Sequence, residues 1–297
     1  MSASNMNNPE QMLESNEHGR VFVRAEYGEN RIVQIEHQLA QASFSLYGGQ
    51  VLTWQPIGQA PVFWLSQTSA LDGSKAIRGG VPICWPWFGP RENAPQHGFA
   101  RNSLWQLSAI EISAEQVMIE LSLGGERQSP CWDNAFDLKQ RLIFAETFTQ
   151  ELQFTNLSQH SCEVTDALHS YFLVSAPQHV AIPELNPCMY DDKITGTENN
   201  PPHDVFSCQG PIDRVYYHEG SVTLIDKGMR RAIEIKKSNS EQTVLWNPDH
   251  HIASTMTDVH PGGETEFVCV EPANTEAQSV AAGARLSMSQ TILVYAI

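Results

Sequence analysis

At 297 residues, 41% of them hydrophobic and 18% charged, the chain has enough apolar content for a sizeable core and too little charge for a disordered or coiled-coil protein. Eighteen Lys and Arg against 34 Asp and Glu leave a formal charge of −16, which disfavours nucleic acid and anionic membrane as partners. A small phosphorylated ligand stays open, because a few clustered arginines can reverse the field locally.

Residues 1–20 are polar, lack the basic and apolar segments of a secretory leader, and read as a flexible N-terminal arm. Residues 21–297 read as one β-sandwich domain, with no linker and no repeat. Strands are predicted wherever short apolar runs alternate with polar residues: 20–25, 31–37, 42–47, 51–55, 61–65, 104–110 and 116–123 in the first half. The segment 136–144 continues the pattern, although Gln140 interrupts its apolar face. Further strands are predicted at 147–154, 162–168, 212–217, 221–225, 231–236, 243–246, 266–270 and 286–294. Turns fall at Tyr47-Gly48-Gly49, Leu123-Gly124-Gly125, Asn199-Asn200-Pro201-Pro202 and Pro261-Gly262-Gly263. So many strands and so little helical periodicity define an all-β fold, a large antiparallel β-sandwich. No run approaches the roughly 18 apolar residues of a membrane helix. The cysteines at 84, 131, 162, 188, 208 and 269 form no C-x-x-C pair, so reduced thiols in a cytoplasmic protein are expected, with neither a disulfide framework nor structural zinc.

The segment Arg78-Gly79-Gly80-Val81-Pro82-Ile83-Cys84-Trp85-Pro86-Trp87-Phe88-Gly89-Pro90 crowds two tryptophans and a phenylalanine into a loop that cannot be regular. It is either a cap on the core or an aromatic wall suited to the apolar face of a pyranose ring. Gln96-His97-Gly98-Phe99-Ala100-Arg101 follows, and Arg101 with Arg78 places two guanidinium forks, matched to phosphate or carboxylate, in one region. His169 ends one apolar strand, where a hydrogen-bonded core histidine is the simpler reading. Glu271 follows the very apolar Phe267-Val268-Cys269-Val270 and must be solvated, paired or used. If they meet, the two make an acid/base pair. Dinucleotide, P-loop, nucleophile-elbow and zincin signatures are absent, and His250, His251 and His260 lack a regular metal-ligand spacing.

Taken together and in order, Arg78-Gly79-Gly80-Val81-Pro82, Trp85-Pro86-Trp87-Phe88-Gly89, Gln96-His97-Gly98-Phe99-Ala100-Arg101, Leu168-His169-Ser170-Tyr171-Phe172, Asp213-Arg214-Val215-Tyr216, Trp246-Asn247-Pro248 and Val268-Cys269-Val270-Glu271 resemble the hexose-6-phosphate branch of the aldose 1-epimerase superfamily. The resemblance runs from about residue 30 to the C-terminus and leaves Asp249-His250-His251 unplaced. It implies a galactose mutarotase-like supersandwich that interconverts the α and β anomers of a hexose 6-phosphate, with His169 as acid and Glu271 as base. The pair would start as imidazolium and carboxylate. Arg78, Gln96, Arg101 and Asp213 would contact the sugar phosphate, the arginines nearest the phosphoryl group, with His97 and Trp246 as pocket neighbours. No metal or other cofactor is implied, and a monomer is expected. An epimerase of unphosphorylated hexoses and a non-catalytic sugar-binding sandwich are the alternatives.

Overall fold

The computed structural model describes residues 11–126, 129–202 and 207–297. In chain order the strands are β1 (Gln11–Asn16), β2 (Gly19–Tyr27), β3 (Asn30–His37), β4 (Ala40–Ser45), β5 (Gln50–Pro56), β6 (Ile83–Cys84), β7 (Gln106–Ile112), β8 (Val117–Gly125), β9 (Phe136–Phe144) and β10 (Phe148–Asn156). There follow β11 (Cys162–Leu168), β12 (Tyr171–Leu173), β13 (Val180–Ala181), β14 (Tyr190–Asp192), β15 (Thr197–Asn200), β16 (Ile212–Tyr216), β17 (Val222–Asp226), β18 (Arg231–Ser238), β19 (Gln242–Asn247), β20 (Phe267–Val280) and β21 (Arg285–Ala296). A short α1 (Asp249–Ala253) lies between β19 and β20. Among the described residues no helix is long and apolar enough to cross a membrane.

The fold is the expected antiparallel sandwich, built from three sheets. One runs β1-β2-β3-β4-β5, a second β13-β17-β18-β21-β10-β9-β8-β7, and a third β15-β14-β16-β19-β20-β11-β6, with β12 also on β20. Alternation explains the packing: β10 buries every second side chain from Phe148 to Asn156 and leaves those between half-exposed. Trp54 of β5, Phe148 of β10, Phe63 and Phe172 of β12 meet ring to ring, so one apolar cluster draws on all three sheets.

Three expectations need correction. Within the predicted arm 1–20, residues 1–10 lie outside the described residues. Residues 11–16 form β1, hairpinned to β2 by a turn in which Asn16 Oδ1 accepts the His18 N–H, while Asn16 Nδ2 donates to Ile112 of β7. The predicted strand 61–65 makes only isolated bridges, Phe63 to Phe172 and Leu65 to Gly79. The strand predicted to end at 270 instead runs through Pro272 to Val280, with the Ala273 N–H received by Ser240 Oγ at 2.9 Å.

Gln140, the residue that breaks the apolar face of β9, has a physical role. Its Nε2 donates to Gly49 O (2.6 Å), Gln150 Nε2 donates to Gln140 Oε1 (2.6 Å), and Gln290 Nε2 donates to Gln150 Oε1 (2.9 Å). Ser170 Oγ completes the chain, 3.1 Å from Gln290 Oε1 and 3.0 Å from its Nε2. All four side chains are buried, so the chain of amides crosses the core from the Gly49 turn to the residue beside His169. A buried amide that loses its partner costs more than the bond itself contributes. Gln150→Leu, which strands its neighbours, is therefore expected to destabilise the protein by about 2–4 kcal/mol. Urea unfolding checks this, and a midpoint equal to that of the wild type would contradict it.

Candidate active site

Strand register lays the floor of a pocket. Asp213 of β16 stands opposite Trp246 of β19, Trp246 opposite Cys269 of β20, and Cys269 opposite Tyr171 of β12. Directly opposed residues share a sheet face, so these four form one row across four strands. The adjacent row on the same face is Val215, Val244 and Glu271. His169 occupies the junction of β11 and β12, where its N–H donates to Pro82 O (3.0 Å) and the Tyr171 N–H donates to Gly80 O (2.9 Å). The 80–82 backbone thus fixes the imidazole over β20. Its Nδ1 lies 3.2 Å from Glu271 Oε1, but out of line for a hydrogen bond, and Glu271 Oε2 also has no partner among the described residues.

All eight residues singled out from the sequence line this one pocket of about 770 Å³: Arg78, Gln96, His97, Arg101, His169, Asp213, Trp246 and Glu271. That volume suits a small-molecule ligand. Asp191, Lys193, Glu198, Tyr217 and Glu276 also line it and were not foreseen. Tyr217 donates to Asp191 Oδ2 at 3.0 Å, and Lys193 Nζ lies 3.8 Å from the same oxygen. Asp191, Lys193 and Glu198 come from turn-rich sequence around β14 and β15 that carries no period of its own, whereas Tyr217 follows β16 and Glu276 lies on β20.

Burial dominates the electrostatics of the pair. Desolvation raises the Glu271 carboxyl well above 4.5, helped by nearby Asp213 and opposed by Arg101. Desolvation also holds His169 well below 6.5, and His97, Arg101 and Arg78 add to that. The ligand-free field therefore opposes the imidazolium–carboxylate start implied by the resemblance and favours a neutral imidazole beside a protonated carboxyl.

His97 is held near 3 by burial and by the two arginines, and is therefore neutral. Its Nδ1 accepts the Gly89 N–H at 3.0 Å, which leaves the ring proton on Nε2 as a donor. The backbone of His97 is left-handed (φ 62), and at Gly98 a Cβ would lie 1.9 Å from Trp85 O, so only glycine lets the loop cross there.

The two arginines differ. Arg78 Nε and Nη2 meet Asp258 Oδ2 at 3.1 and 3.0 Å, and Nη1 donates to the Tyr171 hydroxyl at 2.8 Å. Arg101 spends Nη2 on Gln96 O at 2.8 Å, while its buried Nε has no partner among the described residues. Arg101 thus keeps the donors that an anion would use. Asp258 and Tyr171, which tie down Arg78, were not identified as site residues from the sequence, since only the fold brings Asp258 near.

The aromatic loop is mainly a cap. Trp85 is 1% exposed and packs on Phe99, Trp132, Phe136 and Phe154, and Trp87 packs on Phe99, leaving Phe88 as the member that lines the pocket. Trp246 supplies the aromatic surface instead, edge-on to His169 at 5.9 Å. Residues 249–251 do not line the pocket: they open α1, and His250 Nδ1 pairs with Glu264. His260 pairs with Glu266, so these histidines have separate partners.

Comparison with known proteins agrees with the fold. Residues 31–293 match the family described as aldose 1-epimerase. An Escherichia coli protein named "Putative glucose-6-phosphate 1-epimerase" is 32% identical over 279 residues, covering 92% of this chain and 94% of that protein. The crystal structure of a "putative mutarotase" from Salmonella typhimurium superposes with a TM-score of 0.86 at 30% identity, covering 97% of each chain. A galactose mutarotase-like protein from Clostridium acetobutylicum shares the fold at a TM-score of 0.72 and 13% identity.

Proposed function

The chain belongs to the aldose 1-epimerase family, and from that premise we propose that it interconverts the α and β anomers of a hexose 6-phosphate, glucose 6-phosphate first among them. The observation that carries the reading is the juxtaposition of the buried His169–Glu271 pair with Arg101, whose Nε has no partner among the described residues. A free-sugar epimerase needs the first and not the second.

The chemistry asks for one acid and one base. Glu271 takes the proton of the C1 hydroxyl while His169 protonates the ring oxygen. The ring opens to the aldehyde, rotation about C1–C2 presents the other carbonyl face, and closure returns both protons. The pair needs to hold a single proton, and it holds one whether that proton sits on the carboxyl or on the imidazole. Opening from the carboxyl-protonated state follows the same path once a turn of the side chains brings Oε1 and Nδ1, 3.2 Å apart, into line and the proton crosses. Trp246 offers an apolar face to the ring, while Asp213, Gln96 and the Nε2–H of His97 face its hydroxyls. Arg101, with Arg78 behind it, receives the phosphoryl group. The same reading makes the protein a cytosolic monomer, and its six free cysteines support a reducing compartment.

Polarimetry or exchange NMR on the anomers of glucose 6-phosphate, beside glucose and galactose and with a no-enzyme control, tests the proposal. Acceleration confined to the phosphosugar is expected. Acceleration of free sugars alone would remove the phosphate assignment, and acceleration of none would leave a binding protein. In the same assay kcat/KM, which reports the free enzyme, should fall on an acid limb and on an alkaline limb. Its acid limb, where the pair gains a second proton and loses its base, must lie below 6.5 because His169 is depressed. Its alkaline limb, where the pair loses its one proton, must lie well above 4.5 because Glu271 is raised. An acid limb of kcat/KM centred at or above 6.5 would contradict the assignment.

A further inference from the structure

Below the pair lies a third group that the reaction does not use. Cys269 is two residues before Glu271 on β20, so its side chain falls on the same face, in the row between Trp246 and Tyr171. Its thiol is fully buried, and the Sγ of Cys269, a ring nitrogen of His169 and a carboxylate oxygen of Glu271 all lie within 4.8 Å of one another. Two polar atoms of this cluster, His169 Nδ1 and Glu271 Oε2, are buried without a hydrogen-bond partner. Buried orphans of this kind call for a ligand.

We propose that His169, Cys269 and Glu271 form an inhibitory site for a soft divalent cation of the zinc or cadmium class. One thiolate, one imidazole and one carboxylate are the donor set of such ions, and magnesium and calcium, which take oxygen ligands, are not served by it. Ligand atoms about 2.0–2.3 Å from a tetrahedral zinc lie about 3.3–3.7 Å from each other. The His169–Glu271 separation of 3.2 Å is already close to that. Drawing in the widest pair of the cluster takes about 1 Å of side-chain movement, and His169 and Glu271 line the pocket through which an ion would enter.

The charges balance without redox chemistry. The cation replaces two protons, the one on the Cys269 thiol and the one shared by His169 and Glu271, and both leave to water. The net charge of the buried cluster is unchanged, so Arg78 and Arg101, which repel added positive charge there, meet none. A bound metal takes the lone pair of His169 and the carboxylate of Glu271 out of the reaction, so it blocks turnover and excludes the sugar. That inhibition rests on the epimerase reading, whereas the binding itself does not.

Titrating the full chain with cadmium chloride, and following thiolate-to-metal charge-transfer absorption, reads the binding directly. One equivalent should produce the band, magnesium chloride should not, and zinc chloride should raise the apparent KM for the sugar with kcat unchanged. Cys269→Ser is expected to remove the band and to weaken zinc inhibition about tenfold or more, read against the variant's own turnover in a chelator. Cys269→Ala serves as the second variant, and circular dichroism confirms that each is folded. A wild-type protein with no band, or a band that survives in both folded variants, overturns the site. Zinc that leaves turnover untouched in a protein showing the band overturns the inhibition. A band in a protein that epimerises no sugar would count against the proposed function and leave the metal site standing.

Discussion

Glu271→Gln should lower kcat by about 10²–10⁴-fold without unfolding the protein, the range set by losing one acid/base group from a reaction that needs two. Glutamine keeps the shape of the side chain and ends the burial penalty that raises the carboxyl, so the melting temperature should not fall. KM should change little, because the lost group acts on the proton in flight and not on the bound sugar. His169→Ala is expected to lose turnover on the same scale. It leaves a small cavity beside Tyr171, whose ring stacks on the imidazole at 4.8 Å, so its melting temperature should drop modestly. Exchange NMR against the uncatalysed background reads both variants. Rates near wild type in either one would take that residue out of the mechanism.

Arg101→Ala is expected to raise KM for the phosphosugar about 10–100-fold while leaving KM for a free sugar near its starting value. The size follows from removing charge-assisted hydrogen bonds of about 1.5–3 kcal/mol. The setting sharpens the effect. The pocket wall carries Asp191, Glu198, Asp213 and Glu276, and Arg78 is already committed to Asp258. Once Arg101 is gone, a phosphate dianion meets a predominantly acidic wall on a protein of charge −16. Equal changes in KM for both substrates would sink the phosphate-binding role.

Much of the architecture was legible because a half-buried strand writes its burial into alternate residues. β9, β11, β16 and β21 lie within a residue or two of their predicted bounds for that reason. The stretch from β12 to β15 was not legible. Its strands are two to four residues long, too short for a period to show, and they are held by pairing with β16, β17 and β20. The motifs pointed to residues that line one pocket, but not to which of them have partners elsewhere. Whether Trp85 walls a pocket or fills a core depends on Phe136 and Phe154, which reach it from β9 and β10. That Arg101 and not Arg78 retains free donors depends on Asp258, whose proximity exists only in three dimensions. Gln140 was the informative local anomaly: its disagreement with the face of its strand marked a buried polar partner.

For anyone re-engineering this enzyme, the amide chain from Gly49 to Ser170 divides the molecule into what can be edited singly and what cannot. Each amide donates in the same sense along the chain, so none can be reversed or replaced alone without turning its neighbours. Met256 and Thr275, at the pocket wall and off that chain, are the natural places to recut substrate preference one position at a time. Gln140, Gln150 and Gln290 have to be redesigned as a single unit.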